Sequence, residues 1–170
     1  MGTKKDSGIH PLALRLLARR AYSVAELEQR LVEGGYSPAE AHREVRRLQR
    51  AGLLNDRELA QLLVRRNLME ARGLRRARVQ LRQRGVDPQA AQQALEQVGA
   101  EEEQEALERA LEKALRRYGG EEPSLRRLKV VRYLLQRGFG LWAVVQATAL
   151  LGGELDEELL AEPEDPADVP

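Results

Sequence analysis

Three segments of the chain superpose when their glycines are aligned: AELEQRLVEGGYS, RARVQLRQRGVDP and KVVRYLLQRGFGL. Each carries an apolar residue eight positions before the glycine (Leu27, Ala77, Val130) and leucine four before it (Leu31, Leu81, Leu134). A spacing of four keeps those side chains on one helical face. The glycines Gly35, Gly85 and Gly138 then stand where a helix must stop, because glycine enters the left-handed conformation of the position past a helix end without strain. An apolar or aromatic residue follows each of them (Tyr36, Val86, Phe139), placed to fold back onto the last turn. A chain that writes the same helix ending three times is a repeat protein, and the repeat is helical.

The flanks of the three segments extend the unit to three helices. Ser37-Pro38 and Asp87-Pro88 supply a capping side chain followed by proline at the first helical position. Glu40 stands three after Ser37, and Glu26 three after Ser23, the spacing of a capping box. Asn55 with Glu58 marks another start, whereas the third copy has Gly140-Leu141 and a weaker cap. Apolar positions continue thirteen residues past each glycine, at Leu48, Val98 and Leu151. Ahead of each segment lies a further amphipathic stretch: PLALRLLARRAY, DRELAQLLVRRNLMEA and EALERALEKALRRY. Nine helices are predicted, near 12–21, 24–34, 38–51, 56–71, 74–84, 88–98, 101–118, 124–137 and 140–151. Gly73 is expected to end the fourth, and Phe139 and Trp142 to pack in the core or between repeats, with an exposed anchor for a partner as the alternative.

The expected fold class is all-α: three tandem three-helix, helix-turn-helix-like repeats in an elongated, curved array, since units this small bury little core unless they stack. The repeats are placed at 11–54, 55–100 and 101–152, with a flexible extension at 1–10 and a disordered acidic tail at 153–170, where LDEELL has the pattern for one helical turn.

Composition narrows the function. With no cysteine there are no thiol nucleophiles, thiolate metal sites or disulfides, and the two histidines stand apart in sequence, so a multi-histidine metal site is not available. No Ser/His/Asp arrangement, phosphate-cradling glycine loop or metal-spaced carboxylate set is present. The expectation is therefore no enzyme and no cofactor. No apolar run approaches the roughly 20 residues of a membrane helix, and the first residues lack a signal-peptide core, so a cytoplasmic protein is expected.

Charge is the remaining signal. The net charge of +1 conceals a basic body: residues 11–100 hold 17 Arg against 10 Asp and Glu, while residues 152–170 hold 8 acids and no base. The most basic stretch contains Arg65, Arg66, Arg72, Arg75, Arg76, Arg78, Arg82 and Arg84 against a single acid, Glu70. Arg75, Arg78 and Arg82 follow helical three-four spacing and form a stripe opposite Leu74, Ala77 and Leu81, with Arg76 on its flank. Forked guanidinium donors suit phosphates and carboxylates, so these eight arginines are the candidate partner-binding residues. Arginine outnumbers lysine 24 to 4 over the whole chain, so its abundance alone says little; the local shortage of acid carries the inference. A secondary patch comprises Arg43, Arg47 and Arg50, with Arg46 and Glu44 interleaved. His42 reads as a surface residue, and Glu101, Glu102, Glu103 and Glu105 as charge favouring a helix N-terminus.

The pattern resembles the RecX family of regulators of the RecA recombinase. The resemblance is carried by ALRLLARRAYSVAELEQRL, by GLLNDRELAQLLVRRNLMEARGLRRARVQLRQRGV and, more loosely, by KVVRYLLQRGF. In the second unit Leu54, Asp56, Ala60, Arg65, Gly73, Leu81 and Gly85 stand at the family's spacing; Asn55 replaces an acidic residue and caps equally well. The resemblance implies a monomeric regulator that binds the RecA filament on DNA in its groove. It further implies inhibition of the filament's ATPase and strand exchange, with some members promoting recombination or binding DNA weakly; no membrane association is expected, since no apolar run is long enough. It transfers no catalytic motif. The alternative is a helix-turn-helix protein that reads DNA directly, for which Gln92, Gln93, Gln97, Arg46 and Arg47 are the available side chains.

Overall fold

A computed structural model describes residues 8–151. In chain order the helices are α1 (Ile9–Leu17), α2 (Val24–Glu33), α3 (Pro38–Arg50), α4 (Asp56–Met69), α5 (Leu74–Gln83), α6 (Pro88–Glu96), α7 (Ala100–Tyr118), α8 (Pro123–Gln136) and α9 (Leu141–Thr148). A short 3-10 turn, Ala149–Leu151, follows. No strand occurs among the described residues. The tail from 153 and its LDEELL segment lie outside them.

The three glycines end their helices as the sequence predicts. Gly35, Gly85 and Gly138 have φ of +93, +58 and +87°. In each copy the residue after the glycine donates its N–H to the carbonyl of the buried leucine four before it: Tyr36 to Leu31, Val86 to Leu81, Phe139 to Leu134. The helix end is thus closed by backbone bonds that a left-handed residue makes possible. Gly52 closes α3 the same way (φ +71°). At the end of α4 the left-handed residue is Ala71 (φ +57°), not Gly73. Both capping boxes form: Ser23 and Ser37 accept from Glu26 and Glu40 N–H, and those carboxylates accept from the serine N–H groups. Asp87 accepts from Ala90 N–H, and Gly140 offers α9 no side-chain cap.

The largest departure from the predicted boundaries is α1, which starts at Ile9 and ends at Leu17. Pro11 fits its first turn, where no intrahelical N–H bond is needed. The turn after it frees Arg20 to lie over the Tyr22 ring at 3.7 Å and to pair with Glu26 at 3.1 Å.

The described chain forms two compact units, each best taken by itself: residues to 66 with 78–98, and residues 67–77 with those from 99 onward. In the first, Ala13, Leu27, Leu31, Ala41, Val45 and Leu48 are fully buried or nearly so and join α1, α2 and α3 around one core. Here one carboxylate organises three helix starts. Asp56, in the first turn of α4, accepts from Val24 N–H at 2.8 Å through Oδ1. Its Oδ2 accepts from Asp87 N–H, also at 2.8 Å. The Val24 N–H, at the first position of α2, has no partner within its own helix. Asp56→Ala is therefore expected to lower stability by about 2 kcal/mol, the scale of two charge-assisted bonds partly replaced by water, as measured by urea unfolding.

In the second unit α7 presents Ala106, Ala110 and Ala114, all buried, at the four-residue spacing of one helix face. Their small size lets α7 approach α8 closely, and Val130, Val131, Leu134, Phe139 and Val144 complete the core. Phe139 is buried as expected, but Trp142 is 75% exposed. The reading of Trp142 as core packing is thus corrected: Val144 and Thr148 occupy the inward face of α9.

The middle three helices divide between the units at a repeated device. In the first unit Arg84 donates to the Ala21 carbonyl at 2.7 Å, and the Ser23 hydroxyl donates back to the Arg84 carbonyl at 2.5 Å. In the second unit Arg137 donates to the carbonyls of Glu70 (2.9 Å) and Ala71 (3.3 Å), and Gly73 N–H donates back to the Arg137 carbonyl at 2.9 Å. Arg84-Gly85 and Arg137-Gly138 are the same two positions of the repeat, as are Ala21 with Ala71 and Ser23 with Gly73. The helix stop of one repeat thus grips the turn between the first two helices of the repeat before it. In the first copy the arginine position is Gly34.

Candidate partner-binding surface

The eight arginines named from sequence do not share one fate. In the first unit Arg65, Arg66, Arg78 and Arg82 are exposed. Arg78 and Arg82 stand four apart on α5, and neither has an ion-pair partner among the described residues; nor has Arg65 on α4. Arg84 differs. It is half-buried, and its Nε and Nη2 reach the two oxygens of Glu26 at 2.9 and 2.6 Å. Burial disfavours the ionised carboxyl of Glu26, but the bonds from Arg84, Ser23 N–H and Arg20 outweigh it and hold its pKa down at about 2.

In the second unit Arg72 pairs with Glu70 at 2.8 Å. Arg75, the second residue of α5, is half-buried and has a partner of its own. Arg76 is exposed, with its backbone against Gly138. Of the predicted set, Arg65, Arg76, Arg78 and Arg82 are therefore exposed and without an ion-pair partner among the described residues.

The secondary patch is better formed than its sequence suggested. Arg43, Arg46, Arg47 and Arg50 line a groove of about 510 Å³ on α3, with Ile9 from the start of α1. Glu44, interleaved among them, is only 5% exposed and lies 2.5 Å from His10 Nδ1. Sequence reasoning missed this pairing because it placed the start of α1 beyond His10. The other histidine, His42, is exposed and 3.4 Å from Glu28. Among the described residues no group of three or more His, Cys, Asp or Glu is arranged to hold a metal, and no helix is long and apolar enough to cross a membrane.

Three-helix repeats in which the helix stop of one grips the turn of the repeat before it define a class: tandem helical repeat proteins. Residues 12–48 match the first three-helix domain of RecX, and residues 101–147 match the third. The chain is 36% identical over 154 residues to the regulatory protein RecX of Halorhodospira halophila, covering 89% of this chain and 92% of that protein. Against the regulatory protein RecX of a Mycobacterium species (strain JLS) it is 33% identical over 156 residues, covering 88% and 85%. The crystal structure of RecX from Lactobacillus salivarius superposes with a TM-score of 0.73 at 22% identity, over 84% of this chain and 95% of that one, and so shares the fold. The chain belongs to the RecX family.

Proposed function

We propose that this protein regulates RecA by lying in the groove of the RecA filament on DNA and inhibiting its ATPase, recombinase and strand-exchange activities. It does so as a cytoplasmic monomer serving DNA repair and the SOS response. The observation that carries this reading is the match to the regulatory protein RecX of Halorhodospira halophila over 92% of that protein's length. The exposed arginines Arg65, Arg76, Arg78 and Arg82, which have no ion-pair partner among the described residues, support it, because forked guanidinium donors suit acidic protein surfaces and phosphates. Arg65, Arg76, Arg78 and Arg82, with Arg75 at the head of α5, are the proposed contacts with the filament. Arg66 and Arg72 flank them, and Arg84 contributes by holding the repeat in register. A weak, sequence-independent contact with DNA accompanies the contact with RecA.

The test is single-strand-dependent ATP hydrolysis by RecA with the purified protein added. Hydrolysis is expected to fall as the protein approaches stoichiometry with RecA, and no effect at excess overturns the proposal. The variant Arg75→Glu/Arg78→Glu/Arg82→Glu, with its helicity checked by circular dichroism, is expected to need at least about tenfold more protein for the same effect. That corresponds to the loss of contacts worth about 1.4 kcal/mol or more.

A further inference from the structure

The groove on α3 has a composition that selects among anionic partners. Its four guanidinium groups sit on an eight-residue stretch from Arg43 to Arg50. Both acids beside them are already engaged. Glu44 is buried against His10, with Arg47 at 4.0 Å, and Glu40 is spent on the capping box at Ser37. Arg50 Nε donates to the Arg46 carbonyl at 3.3 Å, while Arg43 and Arg46 have no ion-pair partner among the described residues. Basic residues near a helix C-terminus complement the macrodipole, which accounts for Arg47 and Arg50. It does not account for Arg43, which stands in the first half of α3.

What lines the groove besides arginine is as informative. Among the described residues Ile9 is the single aliphatic one lining it, and no aromatic side chain contributes. Protein interfaces are anchored by aromatic and apolar side chains in a desolvated centre, which this groove lacks. Among the described residues it also has no ring on which a base would stack and no Asn or Gln to read a base edge. Four guanidiniums spread over roughly 10 Å of helix, at about 1.5 Å per residue, match a row of about three phosphates on one strand.

We propose that the α3 groove binds the phosphate backbone of DNA, without sequence preference, through Arg43, Arg46, Arg47 and Arg50. The inference rests on the DNA contact named above and not on the binding of RecA. It assigns that contact to the first repeat, apart from the α5 arginines.

The experiment measures binding of the full-length protein to labelled DNA of arbitrary sequence by fluorescence anisotropy, without RecA, across about 50–200 mM salt. Duplex and single-strand arms identify the form held. Wild-type affinity is expected to fall steeply with salt. The variant Arg43→Gln/Arg46→Gln/Arg50→Gln is expected to bind at least about tenfold more weakly at the lowest salt. Its log–log salt slope should be shallower by about three, one for each phosphate contact removed. Arg→Lys replacements at the same positions keep the charge and should keep the slope. Wild-type protein that ignores DNA at low salt overturns the inference, as does a glutamine variant with unchanged affinity and slope. DNA binding lost only in the Arg75→Glu/Arg78→Glu/Arg82→Glu variant overturns it too. If the glutamine variant loses its effect on RecA while wild type never binds bare DNA, the groove holds an acidic protein surface. The inference then fails while the RecA reading stands.

Discussion

Replacing Gly138 with alanine is expected to destabilise the protein by about 3–5 kcal/mol, at the upper end of what single substitutions do. Two effects add at this position. Its φ of +87° strains any residue that carries a Cβ. The added carbon would also stand 2.4 Å from the backbone nitrogen of Arg76 and 2.6 Å from its Cβ. Backbone cannot swing aside as a flexible side chain can, so the α8 stop would have to part from the start of α5 within the second unit. Gly73→Ala meets the same contact from the opposite side, at 2.2 Å from the Gly138 carbonyl oxygen, and is expected to cost a similar amount. Two controls separate the effects. Gly35 has φ +93° with nothing within 4 Å, so Gly35→Ala reports strain alone, about 1–2 kcal/mol. Gly120 has open space and no left-handed φ, and Gly120→Ala should be close to neutral. Urea unfolding of the four variants decides the matter. A Gly138→Ala protein no less stable than Gly35→Ala would show that the close approach carries no energy.

Arg84→Ala is expected to cost about 2–3 kcal/mol, because it removes charge-assisted bonds to Glu26 and leaves the Ala21 carbonyl to water. The loss should depend on pH in a stated direction. The folded protein holds Glu26 at about 2, against its ordinary 4.5. A depressed carboxyl contributes stability that is fully present above its unfolded value and is lost as pH falls toward the folded one. The wild type should therefore lose this contribution between about 4.5 and 2. The Arg84→Ala variant, whose Glu26 is less depressed, should lose less across the same range. Arg137→Ala provides the contrast. Arg137 grips two backbone carbonyls and lies 4.9 Å over the Tyr133 ring, with no carboxylate involved among the described residues. Its removal should lower stability by an amount that does not change across that acid range. Acid unfolding curves that stay parallel for wild type and Arg84→Ala would refute the assigned role of the Glu26 pair.

The comparison of Arg78 with Arg84 shows where sequence reasoning reaches its limit. Both are arginines of one basic run, six residues apart, and nothing local separates them. One faces solvent on α5; the other is bound to a carboxylate 58 residues earlier in the chain. The same holds for Gly73, which keeps company with Gly138 rather than ending α4. It holds too for Glu44, whose partner His10 lies on a helix that starts earlier than its periodicity indicates. Trp142 runs the other way: its size suggested burial, yet the inward positions of α9 fall on Val144 and Thr148.

The amino-acid sequence by itself determined the repeat, the helix caps at Ser23, Ser37 and Asp87, the left-handed stops at Gly35, Gly85 and Gly138, and the buried leucines before them. These depend on dihedral preference, hydrogen bonds within a turn and four-residue periodicity, all of which act over a few neighbouring residues. Only the tertiary structure decided which arginines are clamps and which face outward, that Asp56 joins the starts of α2 and α6, and that the arginines of α3 line a groove whose acids are engaged elsewhere. Those outcomes depend on where a charge meets its partner, and Coulomb and hydrogen-bond energies are set by distance in space rather than separation along the chain.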